Sequence, residues 1–179
     1  MPKLDLKVFE ALGEFIAPPA PPSDRLKKRR KWQPSLNPTQ QKLYECDAPF
    51  VLCWSEKFSG KSWGCLEKVM KHCVRNRNAL GIILTVTGNM ATDGGVWHKL
   101  LTGVIPEWED GLGIKSKSGF DKQHNPYVWV LNRYNEWSMI KAISCQNPDQ
   151  LWERFRGREP SIVLFDEATA GSSDEYFKA

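Results

Sequence analysis

The sequence predicts an α/β fold, a largely parallel sheet flanked by helices, and three features predict it. Short apolar runs at 49–54, 79–86 and 161–165 read as strands buried on both faces. Between the first two, residues 61–76 place Trp63, Leu66, Val69, Met70 and Cys73 along one face of a helix. A strand, a helix and a second strand in succession form the unit from which parallel sheets are built.

Taken in order, residues 4–16 carry Leu4, Leu6, Phe9, Leu12 and Phe15 at roughly helical spacing, which predicts a short amphipathic helix. Residues 17–22, with four prolines, cannot continue it and predict an extended linker. A basic run follows at 25–31; it reads as a solvated arm or as a contact for nucleic-acid phosphates. From residue 36 strands alternate with helices. A helix is expected over 38–45, with Asn37 as its N-cap and Pro38 in its first turn. Residues 102–126, rich in Gly, Pro and charge, read as an irregular insertion. Residues 127–131 and 138–144 alternate as strands, with 132–136 between them as a hairpin loop. Two regions result: a helix and basic, Pro-rich arm over 1–35, and one α/β domain over 36–179.

Composition narrows the function classes. A chain of 179 residues, 41% hydrophobic and 26% charged, supports one domain with a real core. A net charge of +4 tolerates a polyanionic partner without requiring one. There is no apolar run long enough for a bilayer and no basic-then-apolar leader, so neither membrane nor export is expected. The five cysteines are odd in number and form no CxxC pair, which points away from a zinc ribbon and toward a reducing compartment. His72, His98 and His124 have no Cys or carboxylate at ligand spacing, and Cys65 and Cys73 read as packing residues.

The chemistry concentrates in two places. Residues 55–62 read Ser-Glu-Lys-Phe-Ser-Gly-Lys-Ser, a phosphate loop with Ser55 in place of its first glycine. Ser59 and Gly60 lie in the backbone nest that would cradle phosphates, and Lys61 would place its ammonium on the β- and γ-phosphates. The Ser62 hydroxyl would ligate Mg²⁺, and the positive end of the following helix adds to the anion site. The apolar run 161–165 ends in Asp166 and Glu167, a Walker B arrangement. At a strand end beside the phosphate loop, Asp166 would hold Mg²⁺ and Glu167 would orient or deprotonate the attacking water. Together these predict a P-loop NTPase that binds a nucleoside triphosphate with Mg²⁺ and hydrolyses it. Trp54 and Trp63 flank the loop, either touching a base or giving hydrophobic support.

Over residues 36–170 the chain resembles the ATPase domain of a large terminase subunit, the motor that packs DNA into viral capsids. That family accepts a phosphate loop without its first glycine and favours a basic residue three places before the last one, here Ser55 and Lys57. The resemblance further implies that Gln40, in Asn37-Pro38-Thr39-Gln40, recognises adenine, and that Arg156, before Gly157, is a finger on a neighbouring subunit's nucleotide, with Arg158 as competitor. It implies double-stranded DNA, a homo-oligomeric ring, a small terminase subunit and a capsid portal as partners, in a host cytoplasm. Family members continue past Walker B into a coupling motif and a nuclease. With the sequence ending at Ala179, the fold is expected to be incomplete at its C-terminus and to lack nuclease activity. Two other readings stand beside this one. A superfamily-2 helicase or translocase shares the glutamine and both motifs, but usually continues DE-x-[HD], where this chain has Asp166-Glu167-Ala168-Thr169. A nucleotide-binding assembly module without turnover of its own is the other.

Overall fold

The structure, a computed structural model, describes residues 18–19, 32–51, 53, 60–85, 95–144 and 159–166. Helix α1 (Pro38–Glu45) begins where its sequence dictates. The Asn37 side chain accepts from the Gln40 backbone N–H at 2.9 Å, and the Gln40 side chain accepts from the Asn37 N–H at 2.9 Å. This capping box satisfies two donors that a helix start would otherwise leave unpaired. Helix α2 (Lys61–Arg75) buries Leu66, Val69, Met70, Cys73 and Val74. The Lys71 ammonium donates to the Tyr44 carbonyl at 2.7 Å and that of Lys68 donates to the Cys46 carbonyl, so α2 satisfies the C-terminal end of α1.

Strand β1 (Leu80–Thr85) is followed by α3 (Gly95–Lys99), a π-helical turn (Leu100–Val104) and α4 (Ile105–Leu112), which succeed one another without a break. Pro106 explains the wide turn. It has no N–H to offer the Thr102 carbonyl and its ring would collide with that carbonyl in a regular helix. The Ile105 N–H donates instead to the Leu100 carbonyl, five residues back. Strands β2 (Ser116–Phe120), β3 (Pro126–Leu131), β4 (Trp137–Ser144) and β5 (Ile162–Phe165) complete the described elements.

The sheet order is β2-β3-β4-β1-β5. β1 pairs in parallel with β4 and β5, whereas β2–β3 and β3–β4 are antiparallel. This corrects the expected fold: the sheet is mixed, not largely parallel and flanked by helices in the manner of a P-loop NTPase. The tight connections over 121–125 and 132–136 are the cause, because a parallel crossover needs a dozen or more residues. Two further expectations fail. The run 49–54 is no buried strand where it is described: residues 49–51 and 53 join no ladder and Phe50 is 76% exposed. The region 102–126 is not irregular, since it holds α4 and β2.

One large core lies between the sheet and the helices. It joins Leu66, Met70 and Cys73 of α2, Val96, Trp97, Leu100 and Trp108 of the α3–α4 run, and Ile83, Val128, Ile140 and Leu164 of the sheet. On the opposite face Ile82, Leu84 and Ile143 form a second cluster, to which no helix contributes among the described residues. The hairpin loop is pinned to the C-terminal end of α2. Buried Asn132 accepts from the Tyr134 and Glu136 N–H groups, at 2.9 and 3.1 Å, and donates to the Asn76 carbonyl at 3.1 Å. Among the described residues no helix is long and apolar enough to cross a membrane.

Candidate functional site

Strands β4, β1 and β5 run parallel, so their C-terminal ends, Ser144, Thr85 and the residue after Phe165, reach the same edge of the sheet. The Asp166 N–H donates to the Leu84 carbonyl at 3.1 Å, which extends the β5 ladder by one residue and sets the carboxylate at that edge. Helix α2 runs the other way, because its C-terminal end meets the hairpin at the far edge, where the Arg133 N–H donates to the Val74 carbonyl at 2.9 Å. Its first turn therefore arrives beside Asp166. The Ser62 hydroxyl donates to Asp166 Oδ1 at 2.9 Å, joining residues 104 apart in sequence. Neither side chain is fully exposed.

Gly60 precedes this turn in the left-handed region, φ +78°. A Cβ there would be strained by the backbone and would fall 2.4 Å from Gln40 Nε2, so the position demands glycine on two counts. The Gly60 carbonyl accepts from the Gly64 N–H at 3.1 Å and from Gln40 Nε2 at 3.2 Å. Gln40 thus has both ends of its amide engaged, the oxygen in the cap of α1 and the nitrogen on the turn that opens α2. Lys61 is the first residue of α2 and half-buried. The N-cap of α2 is Gly60, which has no side chain to offer, and the positive end of the α2 dipole faces this edge of the sheet.

Cys65 lies one turn further along α2. Burial, and then the neighbouring Cys53 thiol, push its thiol up to about 12, with Asp166 adding to the same effect. It stays protonated at neutral pH and is no nucleophile. Cys73, whose thiol burial also pushes up to about 12, is a core residue. Among the described residues no three His, Cys, Asp or Glu side chains come together as a metal site.

The structure thus brings together Gln40, Gly60, Lys61, Ser62 and Asp166 of the residues singled out from the sequence. Ser55, Lys57, Ser59, Arg156 and Glu167 lie outside the described residues, as do the helix expected at 4–16 and the basic run at 25–31. Sequence reasoning passed over Gly64, where a Cβ would come within 3.3 Å of the Gln40 backbone, and buried Glu67. Both had a signal: Gly64 lies one helical turn after Gly60, and Glu67 falls between Trp63, Leu66 and Met70 on the apolar face of α2. Comparison of the chain with protein-family models, curated proteins and solved structures found no match.

Proposed function

We propose that residues 60–62 and Asp166 form the phosphate and Mg²⁺ site of an ATPase. The observation that carries this reading is the Ser62–Asp166 hydrogen bond at the glycine-led start of α2. A hydroxyl and a carboxylate with half-buried oxygens fit Mg²⁺, which takes one or two protein oxygens and completes its shell with water and phosphate oxygens. When bound, Mg²⁺ would neutralise charge on the phosphates. Lys61, with the N–H groups of the α2 first turn, would hold and orient them. Glu167, next after Asp166, would orient the attacking water, and Arg156 of a neighbouring copy would stabilise the charge that develops on the transferred group.

The wider reading follows from the terminase resemblance: ATP hydrolysis drives double-stranded DNA into a capsid, and the working unit is a ring. An arginine supplied in trans makes specific activity rise with protein concentration. The test of the site is calorimetric titration of Mg-ATP into the wild type and Lys61→Ala, with phosphate release followed in the same samples. Binding that is lost in the variant, together with release in the wild type, supports an ATPase. Binding without release reduces the reading to a nucleotide-binding module, and absence of binding in the wild type overturns it.

A further inference from the structure

The N-cap of α2 is a glycine, which supplies no side-chain cap of its own, so tertiary contacts help to set the first turn. One flank is held by α1, through Gln40 on Gly60 and through the close packing of Gly64 on Gln40. The other flank is held by Trp63, the residue immediately after Ser62. Its ring lies on Gly103 in the π-helical turn, so closely that a Cβ at Gly103 would stand 2.4 Å from Cη2 and 2.6 Å from Cζ3. Ordinary carbon contacts begin near 3.5 Å. The π turn created by Pro106 is therefore also the seat of the tryptophan, and only glycine leaves room for the ring.

We propose that Trp63, seated on Gly103, is a positioning residue that fixes the rotational setting of the α2 first turn, and with it the aim of Lys61 and Ser62. This rests on the reading of that turn as a phosphate site. Gln40 and Gly64 hold another side of the same turn and Ser62 is tied to Asp166, so a push on the ring acts on a turn whose other contacts are fixed. A methyl group at Gly103 forces the ring back by about 1 Å to reach ordinary contact. A displacement of about 1 Å at a reacting group costs on the order of 100-fold in rate, so the part of the ring's shift that reaches Lys61 and Ser62 weakens their hold on phosphate by less.

Three variants test this: Gly103→Ala, Trp63→Phe and the double variant. Each is titrated with Mg-ATP beside the wild type and Lys61→Ala, with thermal midpoints recorded on the same preparations. Gly103→Ala is expected to weaken Mg-ATP binding by on the order of 10-fold or more. Phe lacks the outer ring atoms that the new methyl would meet, so the double variant is expected to bind more tightly than Gly103→Ala alone. Relief of the clash also restores stability, so all titrations are run well below every thermal midpoint, where only the setting of the turn affects binding. Wild-type affinity in Gly103→Ala, or losses that add in the double variant, overturns the proposal while leaving the site intact. Should Gly103→Ala not fold, Trp63→Phe decides: weaker binding at an unchanged midpoint supports the role, and unchanged binding refutes it. No binding by the wild type removes the phosphate site itself, and the proposal with it.

Discussion

Replacing Glu67 by Gln is expected to change how stability depends on pH, with a direction and size that follow from the structure. Glu67 is 0% exposed. Its Oε2 accepts from the Trp108 indole N–H at 2.6 Å, while Oε1 has no partner. Burial raises the carboxyl from its ordinary 4.5 to about 7; Glu107 adds to this and the Trp108 hydrogen bond opposes it. In the unfolded chain the group ionises near its ordinary value. A raised folded value means that the protonated form favours the native state, so stability is fully present below pH 4.5 and is lost as pH rises through about 7. At about 1.4 kcal/mol for each pH unit, the interval amounts to about 3 kcal/mol. Glutamine cannot ionise, and whatever it costs in the core is the same at every pH. Urea denaturation of both proteins from pH 5 to pH 8.5 isolates the effect, because every other titrating group cancels in the difference. The wild type should lose about 2.5 kcal/mol relative to the variant across this range, falling steadily from pH 5 and levelling off just above pH 7. A difference independent of pH would refute the reasoning.

The Lys141–Asp121 ion pair, 2.5 Å long and nearly inaccessible, joins β4 to the turn before β3. Lys141→Met should cost about 3–5 kcal/mol in denaturant unfolding by stranding the Asp121 carboxylate, and Asp121→Asn in the same chain should recover part of it. Asp166→Asn is expected to weaken ATP binding in the presence of Mg²⁺ by on the order of 10–100-fold while leaving the Mg²⁺-free affinity little changed, as calorimetry with and without the metal would show. Gln40→Ala removes the reciprocal half of the α1 capping box and the tether on Gly60, and leaves the Asn37 cap in place. If Gln40 acts by placing the turn, ATP and GTP affinities fall by the same factor; a loss confined to ATP restores the adenine-reading role.

What was legible in the sequence was what local physics determines. The Asn37-Pro38-Gln40 cap announced α1, and the period of Leu66, Val69, Met70 and Cys73 announced α2 and its buried face. The run Leu80–Thr85 announced a strand covered on both sides. Strand direction was not legible, because an alternation of period two is the same whichever way the chain runs. The run 49–54 looked like a strand because it is apolar, but apolar character does not supply a ladder partner, and residues 49–51 and 53 have none. Helix α4 was hidden by Pro106 and by Gly111 and Gly113. The proline, however, is accommodated by the π-helical turn before it, and Gly113 supplies the left-handed residue that ends the helix. The Ser62–Asp166 contact was foreseeable only as a consequence of both motifs lying at one sheet edge.

The parallel-sheet expectation fails and yet Ser62 and Asp166 meet, and the two facts have one explanation. Every group in the site hangs from the β4-β1-β5 trio or from α1 and α2, which pack together. Asp166 is carried by β5, whose register on β1 is continued by its own N–H, and Ser62 by a helix antiparallel to that strand. The antiparallel strands β2 and β3 extend the sheet on the side of β4 away from β1. Their direction changes what lies beyond β4 but not the distance from the end of β5 to the start of α2. The three parallel strands are enough to bring a strand end and a helix start together, and the chemistry of the site requires no more of the sheet than that.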